Sequence, residues 1–129
     1  DLWVVTYNHD LGLPLKEHLE ACDTITFWTW KAQDLPFLKS NFERLEELAP
    51  HQRKVLGCYM WDYGTKAAMP VEPMQHQCEL GLEWLLNERI DGIIFLASCI
   101  CDLPIKAVQW TRDWIAQVGD RPLRRRGRA

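Results

Sequence analysis

The feature that most constrains the fold is a strict alternation of four short apolar runs with four segments of helical spacing. The apolar runs are rich in Val, Ile, Phe, Tyr and Trp, which favour β-strands. They lie at residues 2–7, 24–28, 54–60 and 92–97. Strand–helix alternation predicts parallel strands joined by right-handed crossovers. The chain is therefore predicted to be an α/β protein built from four parallel βα units.

The segments between these runs have apolar side chains spaced to form one face of a helix. Helices are predicted at residues 15–22, 36–49, 72–89 and 105–118. Pro36, Pro73 and Pro104 lie near three of the predicted helix starts, where the missing N–H costs no hydrogen bond. Gly119 follows the last segment and favours a helix end there.

Two architectures accommodate four such units. One is half of an eight-stranded (β/α)8 barrel, whose full length is about 250 residues, and the other is a small open doubly wound sheet. The chain begins almost inside a strand and without Met, so we expect it to be a piece of a longer protein and favour the barrel half. A half-barrel leaves two strand edges and one sheet face open. We therefore expect a missing half-barrel or self-association to cover them.

Composition predicts one domain at residues 1–120 and a basic, disordered tail at residues 121–129. The chain has 129 residues, 47% of them hydrophobic, which is enough for a core. Without the five arginines of the tail, 10 basic residues remain against 18 acidic residues, a formal charge of −8. An acidic domain argues against nucleic acid as a partner, because phosphates need a basic surface.

Several other partners and cofactors find no support in the sequence. No apolar run reaches the roughly 18 residues needed to cross a bilayer, so no membrane partner is predicted. Cys99 and Cys101 form a C-x-C pair and not the C-x-x-C spacing of zinc sites, and the thiols are predicted to be reduced. A nucleotide-binding glycine loop and a G-x-S-x-G nucleophile motif are both missing from the sequence. No cofactor and no metal is therefore predicted.

Aromatic and polar residues follow the carboxyl end of every predicted strand, where both architectures carry their functional loops. Sugar rings stack their flat C–H faces on aromatic planes, while carboxylates and amides bind sugar hydroxyls. We therefore predict Trp30 and Trp61 as stacking platforms for a glycan. Asn8 and Asp10 are predicted to bind hydroxyls. The other predicted substrate-binding residues are His9, Trp28, Tyr59, Tyr63 and Asp102. The alternative for these rings is packing in the core.

Asp62 is the predicted catalytic residue, because it lies between Trp61 and Tyr63, where desolvation would raise its pKa. Glycoside hydrolysis uses two carboxyl groups that face each other across the scissile bond. Asp10 and Asp102 also follow strand ends. For Asp10, as for Asp62, a capping role in the loop is equally expected, and for Asp102 a helix cap is favoured because it precedes Leu103, Pro104 and a predicted helix.

The loops at residues 27–30 (Phe-Trp-Thr-Trp) and 58–64 (Cys-Tyr-Met-Trp-Asp-Tyr-Gly) carry a family resemblance. Residues 2–119 resemble the carboxyl-terminal half of a glycoside-hydrolase-like (β/α)8 barrel of a bacterial carbohydrate-active protein. The resemblance implies that the strands are the fifth to eighth of a barrel and that the function is glycosidase-like hydrolysis. In the large retaining clan a Glu nucleophile ends the seventh strand, whereas this chain has Asp62 near that position.

The acid/base residue of that clan would belong to the absent half, so the isolated fragment is expected to be inactive. Two alternatives stay open. One is a non-catalytic carbohydrate-binding barrel, and the other is a metal-assisted hydrolase that uses His9 and Asp10.

Overall fold

The structure is a computed structural model that describes residues 1–123. Its strands, in chain order, are β1 (Trp3–Tyr7), β2 (Thr24–Trp28), β3 (Arg53–Tyr59), β4 (Trp61–Asp62), β5 (Ala67–Ala68) and β6 (Gly92–Leu96). Its α-helices are α1 (Lys16–Glu20), α2 (Leu38–Leu48), α3 (Val71–Leu86) and α4 (Lys106–Val118). Short 3-10 turns follow β1, β2 and β6, at Asn8–Asp10, Ala32–Phe37 and Ser98–Ile100.

The α/β class predicted from the sequence is confirmed. Strands β1, β2, β3 and β6 form one sheet in that order, and all three neighbouring pairs are parallel. The hairpin of β4 and β5 is antiparallel and was not predicted, because two-residue strands carry no periodicity that a sequence pattern can show.

Two helices pack against the same face of this sheet. The register places Phe27, Leu56 and Ile93 side by side on neighbouring strands, so their side chains share a face. Phe27 contacts Phe42 of α2, while a Cβ at Gly81 of α3 would lie 3.0 Å or less from Leu56 and Ile93. The strand order also follows the chain order without a reversal. A doubly wound sheet requires such a reversal, so that alternative does not fit the sheet of residues 1–123.

The core between the sheet and the helices is built around Trp84 of α3, which is fully buried. Its ring stacks on Phe42 with centroids 4.1 Å apart and planes 16° apart. The Arg89 guanidinium lies over both rings and makes two hydrogen bonds to the Glu46 carboxylate. This bidentate pair, stacked on aromatic faces, fixes the loop after α3 against α2.

The opposite face of the sheet carries the Trp28 ring at the carboxyl end of β2. Side chains alternate along a strand, so Trp28 points away from the helices, and it lies directly over its register partner Gly57. Its indole N–H donates to the Thr26 hydroxyl at 2.9 Å. At the flanks of this face Val5 and Ile94 are exposed. The expectation of a covering half-barrel or of self-association therefore stays a prediction.

The chain after α4 is exposed and has neither helix nor strand as far as Leu123. The arginine run of the predicted basic tail falls in residues 124–129, outside the described residues. Among the helices of residues 1–123, none combines the length and apolar character needed to cross a membrane.

Candidate functional site

Six ring side chains form one connected cluster at the carboxyl ends of β1, β2 and β3, which we name the aromatic rim. Each ring has a neighbour in the cluster with centroids 4.8–6.1 Å apart. The members are Tyr7, His9, Trp28, Trp30, Tyr59 and Tyr63. Because the three strands are parallel, their last residues meet at one edge of the sheet and bring the following loops together.

The base of the aromatic rim is buried. Trp28 and Tyr59 contact each other at 4.8 Å, and both are less than 10% exposed. Burial, together with the neighbouring Tyr7 side chain, raises the pKa of Tyr59 to about 12. Tyr59 is therefore a neutral phenol at physiological pH, and its ring contacts both Trp28 in the base and Tyr63 in the outer part of the rim.

The outer part of the aromatic rim presents rings to solvent. Trp30 is 38% exposed and Tyr63 is 45% exposed, with centroids 6.1 Å apart and planes tilted by 42°. We call these two residues the ring pair. His9 is also exposed; it stacks parallel on Tyr7 and makes an edge-type contact with Trp30. Exposed aromatic planes held on a buried base suit a ligand with flat apolar faces.

Asp62 directly precedes Tyr63 of the ring pair and is only 3% exposed. Its Oδ1 accepts hydrogen bonds from the backbone N–H groups of Ala32 and Gly64 at 3.0 and 2.9 Å. Its Oδ2 accepts from the Thr65 hydroxyl at 2.8 Å. Burial by itself raises the pKa of Asp62, but these hydrogen bonds outweigh it and hold the pKa below its ordinary value. The expected rise in the pKa of Asp62 is therefore wrong, because the neighbours donate hydrogen bonds instead of only excluding water.

The lowered pKa of Asp62 predicts a specific loss of stability in acid. A carboxyl whose pKa is lower in the folded state contributes its full stabilisation above its unfolded pKa. That contribution is lost as the pH falls below the ordinary value of 3.8 towards the folded pKa. We expect the difference in free energy of unfolding between the wild type and Asp62→Asn to shrink over this range. Urea denaturation of both proteins at a series of pH values measures this difference in free energy of unfolding. A difference that stays constant or grows on acidification would contradict the prediction.

The loop after β1 places Asn8, His9 and Asp10 next to the aromatic rim. The Asp10 carboxylate accepts from the Tyr7 N–H at 3.0 Å, and the Asn8 amide donates to Asp34 at 3.3 Å. His9 Nε2 lies 3.7 Å from Asp10 Oδ1, which is too far for a hydrogen bond. Within residues 1–123, His9 and Asp10 do not join a group of three metal-ligating side chains. The metal-assisted alternative stays a prediction.

Two predicted site residues are not connected to the aromatic rim. Trp61 is half-buried in β4, paired with Ala68, and within the described chain its ring contacts no ring of the rim. Asp102 is exposed in the turn after β6, and no hydrogen bond or ion pair of residues 1–123 joins it to the rim. Their substrate-binding roles stay predictions without support from these contacts.

Tyr7, Asp34 and Thr65 are parts of the site that the sequence reasoning missed. Tyr7 is the last residue of β1 and lies beside Trp28 in the register. Its position at the end of a predicted strand could have identified Tyr7 as a site residue from the sequence. Asp34 lies in the 3-10 turn after β2, and Thr65 lies in the turn between β4 and β5. Only their hydrogen-bond partners distinguish these two residues from ordinary surface residues.

A second concave region lies at the opposite, amino-terminal edge of the sheet. This cleft of about 580 Å³ is lined by charged groups of both signs, among them Arg53, Arg89 and Glu46. It also includes Lys54, which is buried and donates to the Gln52 carbonyl at 2.9 Å, and desolvation lowers the Lys54 pKa. Its mixed charge does not favour one class of ligand. The aromatic rim is therefore the better candidate.

Comparison with protein-family models, with curated proteins and with solved structures gives no match to this chain. Any assignment of function therefore has to come from the geometry of the site.

Proposed function

We propose that this chain binds carbohydrate through the aromatic rim. The observation that carries the proposal is the ring pair, because Trp30 and Tyr63 remain substantially exposed while the rings beneath them are buried. Exposing aromatic surface to water is unfavourable in free energy. Two neighbouring rings that remain exposed in the folded protein therefore suit a ligand that stacks on them. The polar side chains of Asn8 and Asp10 at the neighbouring loop supply groups of the kind that bind hydroxyls.

We also propose that the four βα units are half of a (β/α)8 barrel. The proposal is supported by a sheet whose strand order follows the chain and by helices packed on one face. The exposed apolar residues Val5 and Ile94 on the other face would then be covered by the missing half-barrel or by a second copy.

Binding without hydrolysis is the activity that we propose for the chain itself. Hydrolysis needs a protonated general acid and a second carboxylate that reaches the scissile bond, whereas hydrogen bonds hold Asp62 ionised and it is only 3% exposed. A glycosidase-like reaction remains the proposal for a complete barrel, in which the missing half would supply a partner carboxylate.

Replacing Trp30 by alanine tests the binding proposal. We expect the wild type to bind at least one member of a panel of cello-, xylo-, malto- and chito-oligosaccharides, followed by its intrinsic tryptophan fluorescence. Trp30→Ala should weaken that binding about 10-fold, which is about 1.4 kcal/mol of binding free energy. The matched control is Trp3→Ala, which removes a 52% exposed ring at the other end of β1 and should leave affinity unchanged.

Absence of binding to every saccharide in the panel would contradict the proposal. Equal affinities of Trp30→Ala and Trp3→Ala would also reject it, because the ligand would then bind elsewhere. Isothermal titration calorimetry with the same saccharides provides a readout that does not depend on which tryptophan is removed.

A further inference from the structure

We propose that Asp62 is the positioning residue of the ring pair: one buried carboxylate ties the loop after β2 to the loop after β3 and thereby sets how Trp30 and Tyr63 face a ligand. The inference rests on the proposed function for what the ring pair binds. It assigns Asp62 a role that involves no contact with the ligand.

The contacts of a single oxygen carry the argument. Asp62 Oδ1 accepts from the N–H of Ala32, two residues after Trp30, and from the N–H of Gly64, directly after Tyr63. Both exposed rings are therefore within two residues of a backbone amide held by the same oxygen. A backbone hydrogen bond of 3.1 Å from the Tyr63 N–H to the Trp30 carbonyl joins the two loops next to it.

The surroundings of Asp62 make this link rigid. The residue is 3% exposed, so water does not compete effectively for its oxygens, and hydrogen bonds to an ionised acceptor are among the stronger ones. A Cβ at Gly64 would lie 3.1 Å from Asp62 Oδ1 and 3.3 Å from the Lys31 stem. The two loops thus pack closely around the carboxylate, with little space for an alternative arrangement.

Burial separates this role from direct contact with a ligand. Asp62 is 3% exposed, and its oxygens already accept the N–H groups of Ala32 and Gly64 and the Thr65 hydroxyl. In the chain itself Asp62 therefore acts on a ligand through the residues that it holds.

A double-mutant cycle with Asp62→Asn and Trp30→Ala tests the proposal. Asparagine keeps the size of the side chain but removes its charge, so it weakens the link with the least damage to packing. We expect Asp62→Asn to weaken saccharide affinity about 10-fold in the wild type and less than about 2-fold in the Trp30→Ala background. The matched control Asp120→Asn, the same change at an exposed carboxylate after α4 and away from the aromatic rim, should leave affinity within about 2-fold.

A readout without ligand separates this proposal from the proposed function. Cross-peaks between the ring protons of Trp30 and Tyr63 in nuclear Overhauser spectra should weaken in Asp62→Asn, while its unfolding remains cooperative. If Asp62→Asn does not fold, Thr65→Val removes only the hydroxyl donor and should weaken the same cross-peaks less. Unchanged cross-peaks, or an equal loss of affinity in both backgrounds, would overturn the positioning role. A wild type that binds no saccharide would instead reject the proposed function and leave the cross-peak test intact.

Discussion

Replacing Gly57 by alanine is expected to lower the free energy of unfolding by about 3 kcal/mol, the upper range for overpacking a core. The reason is the Trp28 ring, because a Cβ at Gly57 would lie 2.0–2.3 Å from three of its atoms. The added methyl cannot be accommodated unless the indole moves away from its position over Gly57. That movement also removes the Thr26 hydrogen bond and the contact with Tyr59. Equilibrium urea denaturation measures the loss.

Gly92 provides the matched control, since it lies on the neighbouring strand β6 of the same sheet. A Cβ there would meet only Val55 at 3.9 Å, an ordinary contact. Gly92→Ala should therefore change the free energy of unfolding by less than about 1 kcal/mol and in either direction. If the two alanine variants are equally stable, Trp28 does not occupy the space over Gly57. The same pair also tests the aromatic rim, because displacement of Trp28 should alter the near-ultraviolet circular dichroism of Gly57→Ala alone.

Truncation of Trp84 to alanine is expected to lower the free energy of unfolding by about 4 kcal/mol, as for other fully buried aromatic residues. The substitution removes the stacked contact with Phe42 and one of the two rings beneath the Arg89 guanidinium. It also leaves a cavity between α2, α3 and the sheet. Chemical denaturation monitored by far-ultraviolet circular dichroism measures this change without relying on tryptophan fluorescence.

Trp3→Ala serves as the comparison, because the Trp3 ring is 52% exposed and its loss creates no enclosed cavity. We expect Trp3→Ala to lower the free energy of unfolding by less than about 1 kcal/mol. A loss at Trp84 of less than about 2 kcal/mol would show that the core around it is loosely packed and that α2 and α3 are held by other contacts.

The two faces of the sheet have different roles in this structure. The face that carries Phe27 packs against helices and supplies stability, whereas Trp28 on the other face supports Tyr59 at the base of the aromatic rim. Strand β2 therefore contributes both to stability and to the candidate site. Phe27 packs against the helices, and its neighbour Trp28 supports the aromatic rim. A change at Gly57 should for this reason affect both properties, while a change at Trp84 should affect mainly stability.

The sequence by itself determined the elements of the sheet and the edge at which the loops meet. Each of the four strands has β-branched or aromatic side chains, and the predicted runs agree with the observed strands to within one residue at each end. Parallel strands place their carboxyl ends together, so Trp30 and Tyr63 could be predicted to lie on one side of the molecule before their contact was known. This information is local and periodic, which is why a sequence pattern carries it.

Only the tertiary structure decided what each of these side chains does. The sequence shows that Asp62 lies between two aromatic residues, but the Ala32 N–H that lowers its pKa comes from a loop 30 residues earlier. Likewise Trp61 and Tyr63 are equivalent in the pattern, yet among residues 1–123 the Tyr63 ring joins the rim, whereas Trp61 is half-buried in the β4–β5 hairpin and contacts no ring of the rim. Hydrogen-bond partners and burial depend on contacts between distant segments, and those contacts exist only once the chain has folded.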